Sequence, residues 1–125
     1  MVFDFLDIVD RAMTGEKIDE RERDMRLFRR VEELVKELDL RCPVDTAVPS
    51  DDTLADEVFD ASLRLAADIG AYCTTTNRVI EFTEDELKEA VKSLPMEITV
   101  GEGKDTSRIP LRKIEEKSIP TSRVH

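Results

Sequence analysis

The sequence predicts a mostly helical α+β fold, with about four helices followed by a β-hairpin. Apolar residues recur at helical spacing in four stretches before Pro95, and helix-ending and helix-starting residues separate those stretches. After Pro95 the apolar period changes to two. A chain of 125 residues has the length of one domain. We therefore expect one domain overall, made of a helical region over residues 1–95, a β-hairpin over residues 96–112 and an irregular C-terminal tail over residues 113–125.

An apolar stripe at the start of the sequence predicts a short first helix. Its residues are spaced to fall on one side of a helix, and Thr14 and Gly15 follow it as a stop. An apolar stripe of this kind ordinarily faces a core. The stripe consists of Val2, Phe5, Leu6, Val9 and Met13.

A longer second helix is predicted from about Asp19 to Leu40. Its apolar residues fall on one face, and opposite charges stand four residues apart on its surface. Proline cannot donate to the helical ladder and restricts the residue before it, so Pro43 ends the helix and a linker runs on to Pro49. The apolar face consists of Met25, Phe28, Val31, Val35 and Leu38, and the charge pairs are Glu22 with Arg26 and Glu32 with Lys36.

Capping residues after the linker predict a third helix. Ser50, Asp51 and Asp52 offer side-chain oxygens to the free amides of its first turn. Gly70 ends the helix, because glycine readily adopts the conformation that closes many helices. The buried side is expected to carry Leu54, Val58, Ala61, Leu65 and Ile69.

A capping box predicts a fourth helix. The Thr83 hydroxyl can accept a hydrogen bond from the Glu86 amide, while the Glu86 carboxylate accepts one from the Thr83 amide. The apolar side of this helix consists of Leu87, Ala90, Val91 and Leu94.

Alternating residues after Pro95 predict the β-hairpin. Met96, Ile98 and Val100 alternate with polar residues in the pattern of a half-buried strand. The run from Gly101 to Asp105 is a turn between two strands and opens no helix, so a hairpin turn accounts for it better than a phosphate-binding loop. Ile109 and Leu111 alternate beyond it, although Pro110 confines that strand to an edge.

The charge balance excludes some classes of partner. The sequence has 29 acidic and 19 basic residues, a net charge of -10, which repels phosphate backbones and anionic lipids. We therefore expect neither nucleic acid nor a membrane surface as a partner. The first residues are acidic where a signal peptide is basic, and no apolar run approaches the roughly 20 residues that cross a bilayer, so we expect a cytoplasmic protein.

The sequence contains no recognisable catalytic or metal-binding motif. His125 is its only histidine and stands at the end. Cys42 and Cys73 lack metal-ligand spacing and are expected to be reduced thiols. Cys73 is expected to be a packing residue, because free cysteine is often buried; a reactive thiol would need a cationic neighbour, for which Arg78 is the nearest candidate. We assign no catalytic, cofactor-binding or metal-binding residue to this chain.

The stretch from Tyr72 to Leu87, which reads YCTTTNRVIEFTEDEL, resembles a segment near the N-terminus of the archaeal monomethylamine methyltransferases. The likeness spans nearly the whole chain. In the family pattern an acid and a histidine stand where this sequence has Thr75 and Asn77, so the resemblance assigns no role of that histidine to this chain. Flanking features agree in order: Asp10-Arg11-Ala12, Gly15-Glu16-Lys17, Val100-Gly101-x-Gly103-x-Asp105 and Arg112-Lys113.

The resemblance implies an enzyme of several hundred residues, built on a (β/α)8 barrel, that supports methanogenesis from methylamines. Its pyrrolysine forms an adduct with monomethylamine and presents the methyl group to the cobalt of a partner corrinoid protein. A barrel needs about 200 residues or more, so this chain would hold the helices and hairpin that precede the barrel. The resemblance therefore implies no catalytic residue and no cofactor in this chain, since the corrinoid belongs to a partner.

Two functions follow as hypotheses. In the first, the chain is an N-terminal structural or oligomerisation segment, inactive alone, whose partners are further copies, a barrel-bearing protein or a corrinoid protein. This hypothesis predicts an exposed apolar patch. In the second, the chain is a free-standing acidic module that binds a basic or apolar protein. An independent enzyme is disfavoured, because acid, base and nucleophile do not converge in the sequence.

Overall fold

A computed structural model gives the fold of residues 3–113 and 116–117. Contacts divide the chain into two units, one that ends at Ser93 and one that starts at Leu94. The predicted α+β fold, with four helices followed by a hairpin and without the barrel of the family, is confirmed in this part of the chain. The elements in order are α1 (Phe5–Thr14), α2 (Glu20–Glu37), α3 (Asp52–Ile69), β1 (Ala71–Cys73), β2 (Arg78–Ile80), α4 (Glu84–Lys92), β3 (Glu97–Val100), a 3-10 turn (Gly103–Asp105) and β4 (Ser107–Pro110).

Local capping residues set the starts of the helices. Asp19 accepts a hydrogen bond from the Glu22 amide at 2.9 Å and begins α2. Asp51 accepts one from the Thr53 amide at 2.9 Å and begins α3. The capping box predicted at the start of α4 is present. These caps satisfy amides that have no partner inside the helix.

Glycines close α1 and α3, as predicted. Gly15 follows α1 and donates its amide to the Arg11 carbonyl at 2.9 Å. Gly70 follows α3 with φ 68° and ψ -167°, a backbone conformation that essentially only glycine adopts. The chain can therefore turn at Gly70 directly from a helix into a strand.

A hairpin lies between α3 and α4, where the sequence indicated only a connector. β1 and β2 pair antiparallel, with Tyr72 opposite Val79. Asn77 has φ 53° in the turn between them, a conformation that asparagine tolerates better than most residues. Each strand has three residues, too few for an alternating pattern to be recognised in the sequence.

The core of the first unit is small. The fully buried hydrophobic residues in the described part of the chain are Ile18, Leu34, Ala61 and Val79. They come from the segment after α1, from α2, from α3 and from β2. α1 packs on β2, whereas α3 contacts both α2 and α4.

The described part of the apolar stripe predicted on α1 is not its packed face; Val2 of that stripe lies outside the described residues. The side of α1 that is half-buried carries Ile8, Arg11 and Ala12, while Phe5 is 78% exposed and Met13 is 61% exposed. At 3.6 residues per turn, the apolar residues of α1 cover an arc of about 160°. The short hairpin contacts one edge of that arc, and the remaining apolar side chains point away from it.

The second helix shows the same displacement of its packed face. Leu34 is the buried residue of α2 and is 3% exposed, whereas Phe28 is 58% exposed. Leu27 and Leu38 are half-buried beside Leu34. The predicted charge pair between Glu22 and Arg26 is present at 3.1 Å. Periodicity thus predicted the helix and its apolar side, but the packed face lies at one edge of that side.

The second unit contains the predicted hairpin. β3 and β4 pair antiparallel with Ile98 opposite Ile109, and the Leu111 amide donates to the Met96 carbonyl at 2.8 Å. Gly101 has φ 86° in the connection. The expectation of one domain for the whole chain stays a prediction.

Candidate functional site

A cluster of hydrogen-bonded polar groups joins α1 to the start of α4 in the first unit. We call it the α1–α4 junction, and it comprises Asp7, Arg11, Glu81, Thr83 and Glu86. The Arg11 guanidinium donates to both carboxylate oxygens of Glu86, from Nη1 to Oε2 at 3.0 Å and from Nη2 to Oε1 at 2.6 Å. Arg11 Nη1 also donates to the Glu81 carbonyl at 2.9 Å, and Arg11 Nη2 lies 2.9 Å from Asp7 Oδ2.

The junction holds its two main charges in their ionised forms. The hydrogen bonds from Arg11 lower the pKa of Glu86 to about 2, and those to Glu86 raise the pKa of Arg11 above its usual value. A general acid or base needs a pKa near the working pH. Glu86 is therefore suited to hold α1 in place and not to transfer protons near neutral pH.

The turn of the first hairpin caps the C-terminal end of α1. The Thr76 hydroxyl donates to the Ala12 carbonyl at 2.6 Å, and Arg78 Nη1 donates to the Gly15 carbonyl at 2.6 Å. Helix-end carbonyls have no partner inside the helix. The hairpin satisfies them and fixes where α1 ends.

Tyr72 and Asn77 fix the other side of this turn. The Tyr72 hydroxyl donates to the Ile18 carbonyl at 2.8 Å and lies 3.2 Å from Asn77 Oδ1. The Ile18 amide donates to the Asn77 carbonyl at 3.0 Å. Partial burial and the charges of nearby acids raise the pKa of Tyr72. Asn77 therefore has a structural role in this chain, while Thr75 is exposed in the same turn.

Cys73 is partly buried, as its predicted packing role requires. Arg78 lies opposite Cys73 in the hairpin, but its guanidinium donates to Gly15. A hydrogen bond from the Thr76 side chain, with those of the Thr76 and Thr75 amides, lowers the pKa of the Cys73 thiol. The Thr76 hydroxyl has one proton and already donates it to Ala12, so the effect on the thiol is limited.

No arrangement for metal binding occurs in residues 3–113 and 116–117, where no group of three or more His, Cys, Asp or Glu side chains could hold an ion. The Gly101 to Asp105 run connects β3 to β4 as predicted. His125 lies outside the described residues. In the same described ranges no helix is long and apolar enough to cross a bilayer.

A polar cavity of about 620 Å³ lies beside the junction and contains three arginines of the first unit. Arg26 donates to both oxygens of Glu16 at 2.8 Å, and Arg11 is held by Glu86. Arg23 Nε is buried without an acceptor in the described part of the chain, and a water molecule is the usual partner in a cavity of this kind. Sequence patterns could not find the pairs of Arg11 and Glu86 or of Arg26 and Glu16, because their members are not helical neighbours.

An apolar groove runs between α2 and α3. We call it the α2–α3 groove; it has a volume of about 510 Å³. Its floor is formed by Leu34 and Ala61, the buried residues of the two helices. Its lining residues are Val31, Leu34, Val35, Leu40, Arg41, Cys42, Pro49, Asp51, Leu54, Ala55, Val58, Ala61, Ser62 and Leu65.

The sequence was compared with families of known proteins. The family described as "Monomethylamine methyltransferase MtmB" matches residues 3–123. The chain is 32% identical over 119 residues to "Monomethylamine methyltransferase MtmB" of Methanosarcina mazei. The aligned segment covers 94% of this chain and 26% of that protein. It has the same identity and coverage with "Monomethylamine methyltransferase MtmB1" of Methanosarcina acetivorans.

The fold was compared with solved structures. It matches the crystal structure of the Methanosarcina barkeri monomethylamine methyltransferase with a TM-score of 0.77 and 30% sequence identity. The match covers 88% of this chain and 24% of that chain. This chain thus spans about a quarter of the length of the relatives it matches.

Proposed function

This chain belongs to the monomethylamine methyltransferase MtmB family, and from that premise we propose that it is an N-terminal structural or oligomerisation segment of a monomethylamine methyltransferase-like protein. Nearly the whole chain matches the family, yet the match covers only 26% of the length of the Methanosarcina mazei relative. The observation that carries the proposal is the exposure of the apolar stripe on α1. A helix face of this kind ordinarily packs against other protein.

The exposed stripe is large for a surface that faces only water. Phe5 is 78% exposed, Leu6 is 71% exposed and Met13 is 61% exposed. Burying one such side chain fully contributes about 1.5–3 kcal/mol. Contiguous apolar surface of this kind marks an interaction site. Further residues of a longer protein, or further copies of it, are the surfaces that would cover the stripe.

The α1–α4 junction supports a structural role for the same segment. Its charged side chains pair with each other, and its Thr83 hydroxyl caps the start of α4. Glu86, which Arg11 holds, has its pKa far below neutral pH and is not suited to act as a general acid or base there. The family's methyl transfer from monomethylamine would then depend on residues outside this chain.

We propose that the corrinoid of the family reaction is carried by a partner protein. Both proteins would act in the cytoplasm. The assignment of the corrinoid to a partner is supported by the described residues, among which no group of three or more His, Cys, Asp or Glu side chains could hold a metal ion. The chain's contribution would be to position the catalytic part of the longer protein, and the partners would be further copies, a barrel-bearing polypeptide or the corrinoid protein.

A full-length chimera tests the proposal. Residues 3–123 of this chain would replace the matching segment of the Methanosarcina mazei relative, and methyl transfer from monomethylamine to its corrinoid partner would be measured. We expect a folded chimera with activity within about tenfold of the parent, a loss of about 1.4 kcal/mol or less in transition-state stabilisation. The isolated chain should show none.

Two outcomes would contradict the proposal. One is a folded chimera that lacks activity while the parent enzyme is active under the same conditions. The other is turnover of monomethylamine by the isolated chain with no other macromolecule present. A control chimera with Asp56→Asn, an exposed change on α3, should match the unmodified chimera.

A further inference from the structure

We infer that the α2–α3 groove is the docking site for an apolar-faced helix from the part of the longer family polypeptide that lies beyond the matched segment. The inference rests on the proposed function and deepens it, because it names the surface and its occupant. It does not involve the α1 stripe or the α1–α4 junction.

The groove is already shaped as a receptor for side chains. Leu34 and Ala61 form a closed floor, at 3% and 7% exposure, and α2 and α3 supply apolar walls above it. Val35 is 40% exposed and Val58 is 45% exposed on those walls. Proteins often recognise a helix by binding its apolar face in a groove. Such a helix would bury the exposed apolar side chains of these walls.

The lining favours a protein segment over a small ligand. Small-molecule sites place a few convergent polar groups among apolar residues to orient the ligand. In the groove, Arg41 and Asp51 are the charged residues, and both lie where the linker joins the helices. The walls along α2 and α3 are apolar except for Ser62, whose hydroxyl already donates to the Val58 carbonyl at 2.7 Å. A helix stripe could therefore pack there without leaving a polar group unsatisfied.

Charge and length favour a segment of the longer polypeptide over a second copy of this chain. Residues 1–93 hold 24 of the 29 acidic residues and 13 of the 19 basic residues, so two such units repel each other. The matched relatives have about three quarters of their length outside the match. The (β/α)8 barrel that the family resemblance implies would lie in that remainder, and its helices could provide the occupant.

Cys42 is a natural reporter of the groove. It is exposed in this chain and is one of the groove-lining residues. In a Cys73→Ser background the isolated chain has Cys42 as its only thiol. Its alkylation by a maleimide, followed by peptide mass spectrometry, would be compared between the isolated chain and the folded full-length chimera carrying the same Cys73→Ser change.

We expect Cys42 to react at least about tenfold more slowly in the chimera than in the isolated chain, since a docked helix would cover it. Val58→Glu should restore fast labelling in the chimera and lower its Tm, because the carboxylate would oppose docking. The same change should leave the Tm of the isolated chain unchanged. Thr53→Glu, an equal charge change at an exposed site of α3, is the matched control and should change neither.

Three results would overturn the inference. Equal Cys42 labelling in the isolated chain and in an active chimera would show an empty groove while leaving the proposed function intact. Slow labelling of the isolated chain at low concentration would show that the groove is closed. Protection that rises with concentration of the isolated chain would place a second copy in the groove. An inactive folded chimera contradicts the proposed function itself, and the activity assay separates that case from the others.

Discussion

Arg11 of α1 holds Glu86 of α4 with two parallel hydrogen bonds, at 3.0 Å and 2.6 Å, across 75 residues of sequence. Glu86 also accepts a hydrogen bond from the Thr83 amide at 2.9 Å and so caps its own helix. One carboxylate therefore starts α4 and fixes α1 against it. Charge-assisted bonds with this bidentate geometry are among the stronger ones in proteins.

Arg11→Met should loosen α1 without unfolding the first unit. The thioether keeps much of the side chain's apolar stem but removes all contacts to Glu86, Glu81 and Asp7. We expect Tm to fall by about 2–5 °C, which thermal unfolding followed by circular dichroism would measure. Arg21→Met, at an exposed position of α2, is the control. Equal Tm values for both variants would show that the junction does not hold α1.

The contribution of Glu86 should depend on pH in a defined window. Its pKa in the folded chain is lowered to about 2, below the usual value of about 4.3. A depressed carboxylate contributes stability that is present above the unfolded pKa and is lost as pH falls through the folded pKa. The Tm difference between the unmodified chain and Glu86→Gln should be constant from about pH 5 to 8 and shrink between about pH 4 and 2. A Tm difference at pH 2 as large as the one at pH 7 would contradict this assignment.

Gly70→Ala should destabilise the chain more than Gly103→Ala. Both glycines have positive φ, 68° and 56°. A Cβ at Gly70 would meet the Ile80 carbonyl oxygen, whereas a Cβ at Gly103 has nothing within 4 Å. We expect losses of about 2–4 kcal/mol for Gly70→Ala and about 1 kcal/mol for Gly103→Ala in urea denaturation. The reverse order would be inconsistent with the observed approach of the two segments.

Thr76→Val should cost about 1 kcal/mol, because it leaves the Ala12 carbonyl without the hydroxyl that donates to it. Val is close to Thr in shape, so packing is nearly unchanged. Thr75→Val, at the exposed neighbouring position, is the matched control and should stay within about 0.5 kcal/mol. Equilibrium denaturation would give the unfolding free energies of both variants for comparison. The rate of amide hydrogen exchange at the end of α1 should rise only in Thr76→Val.

The packed face of α2 can be tested by truncating one side chain on that face and one side chain outside it. Leu34→Ala should cost about 2–4 kcal/mol, because the side chain is 3% exposed and its loss leaves a cavity. Phe28→Ala should cost less than about 1 kcal/mol in the isolated chain, since Phe28 is 58% exposed. A larger loss of stability for Phe28→Ala than for Leu34→Ala would show that the face predicted from periodicity is the packed one.

Sequence reasoning succeeded where the physical cause is local. Asp51 caps α3 and Thr83 caps α4 through groups at most three residues away, so the residues that begin these helices could be predicted from the sequence. Gly70 ends α3 because its own backbone conformation excludes other residues. The hairpin of β1 and β2 was not predicted, since its three-residue strands are held by distant contacts: Thr76 and Arg78 bond to the end of α1, and Tyr72 bonds to Ile18 in the segment after α1.

The candidate interaction surfaces were only partly readable. The apolar stripes of α1 and α2 were found from spacing, but the sequence did not say which edge of each stripe would pack. Motif spacing gave no signal for the bond between Arg11 and Glu86, because it joins distant segments. Nor did spacing indicate the α2–α3 groove, which exists only when Leu34 and Ala61 meet.

The sequence by itself determined four helices, the caps of α3 and α4 and the late hairpin, because these features depend on residues close to one another along the chain. The family resemblance is confirmed as well. Tertiary structure alone decided that Ile8 and Leu34 turn inward while Phe5 and Phe28 turn outward. The physical reason is that each apolar arc is wider than the surface it contacts. Which edge of the arc packs depends on the neighbouring elements of the fold, and those elements come from segments far away in the sequence.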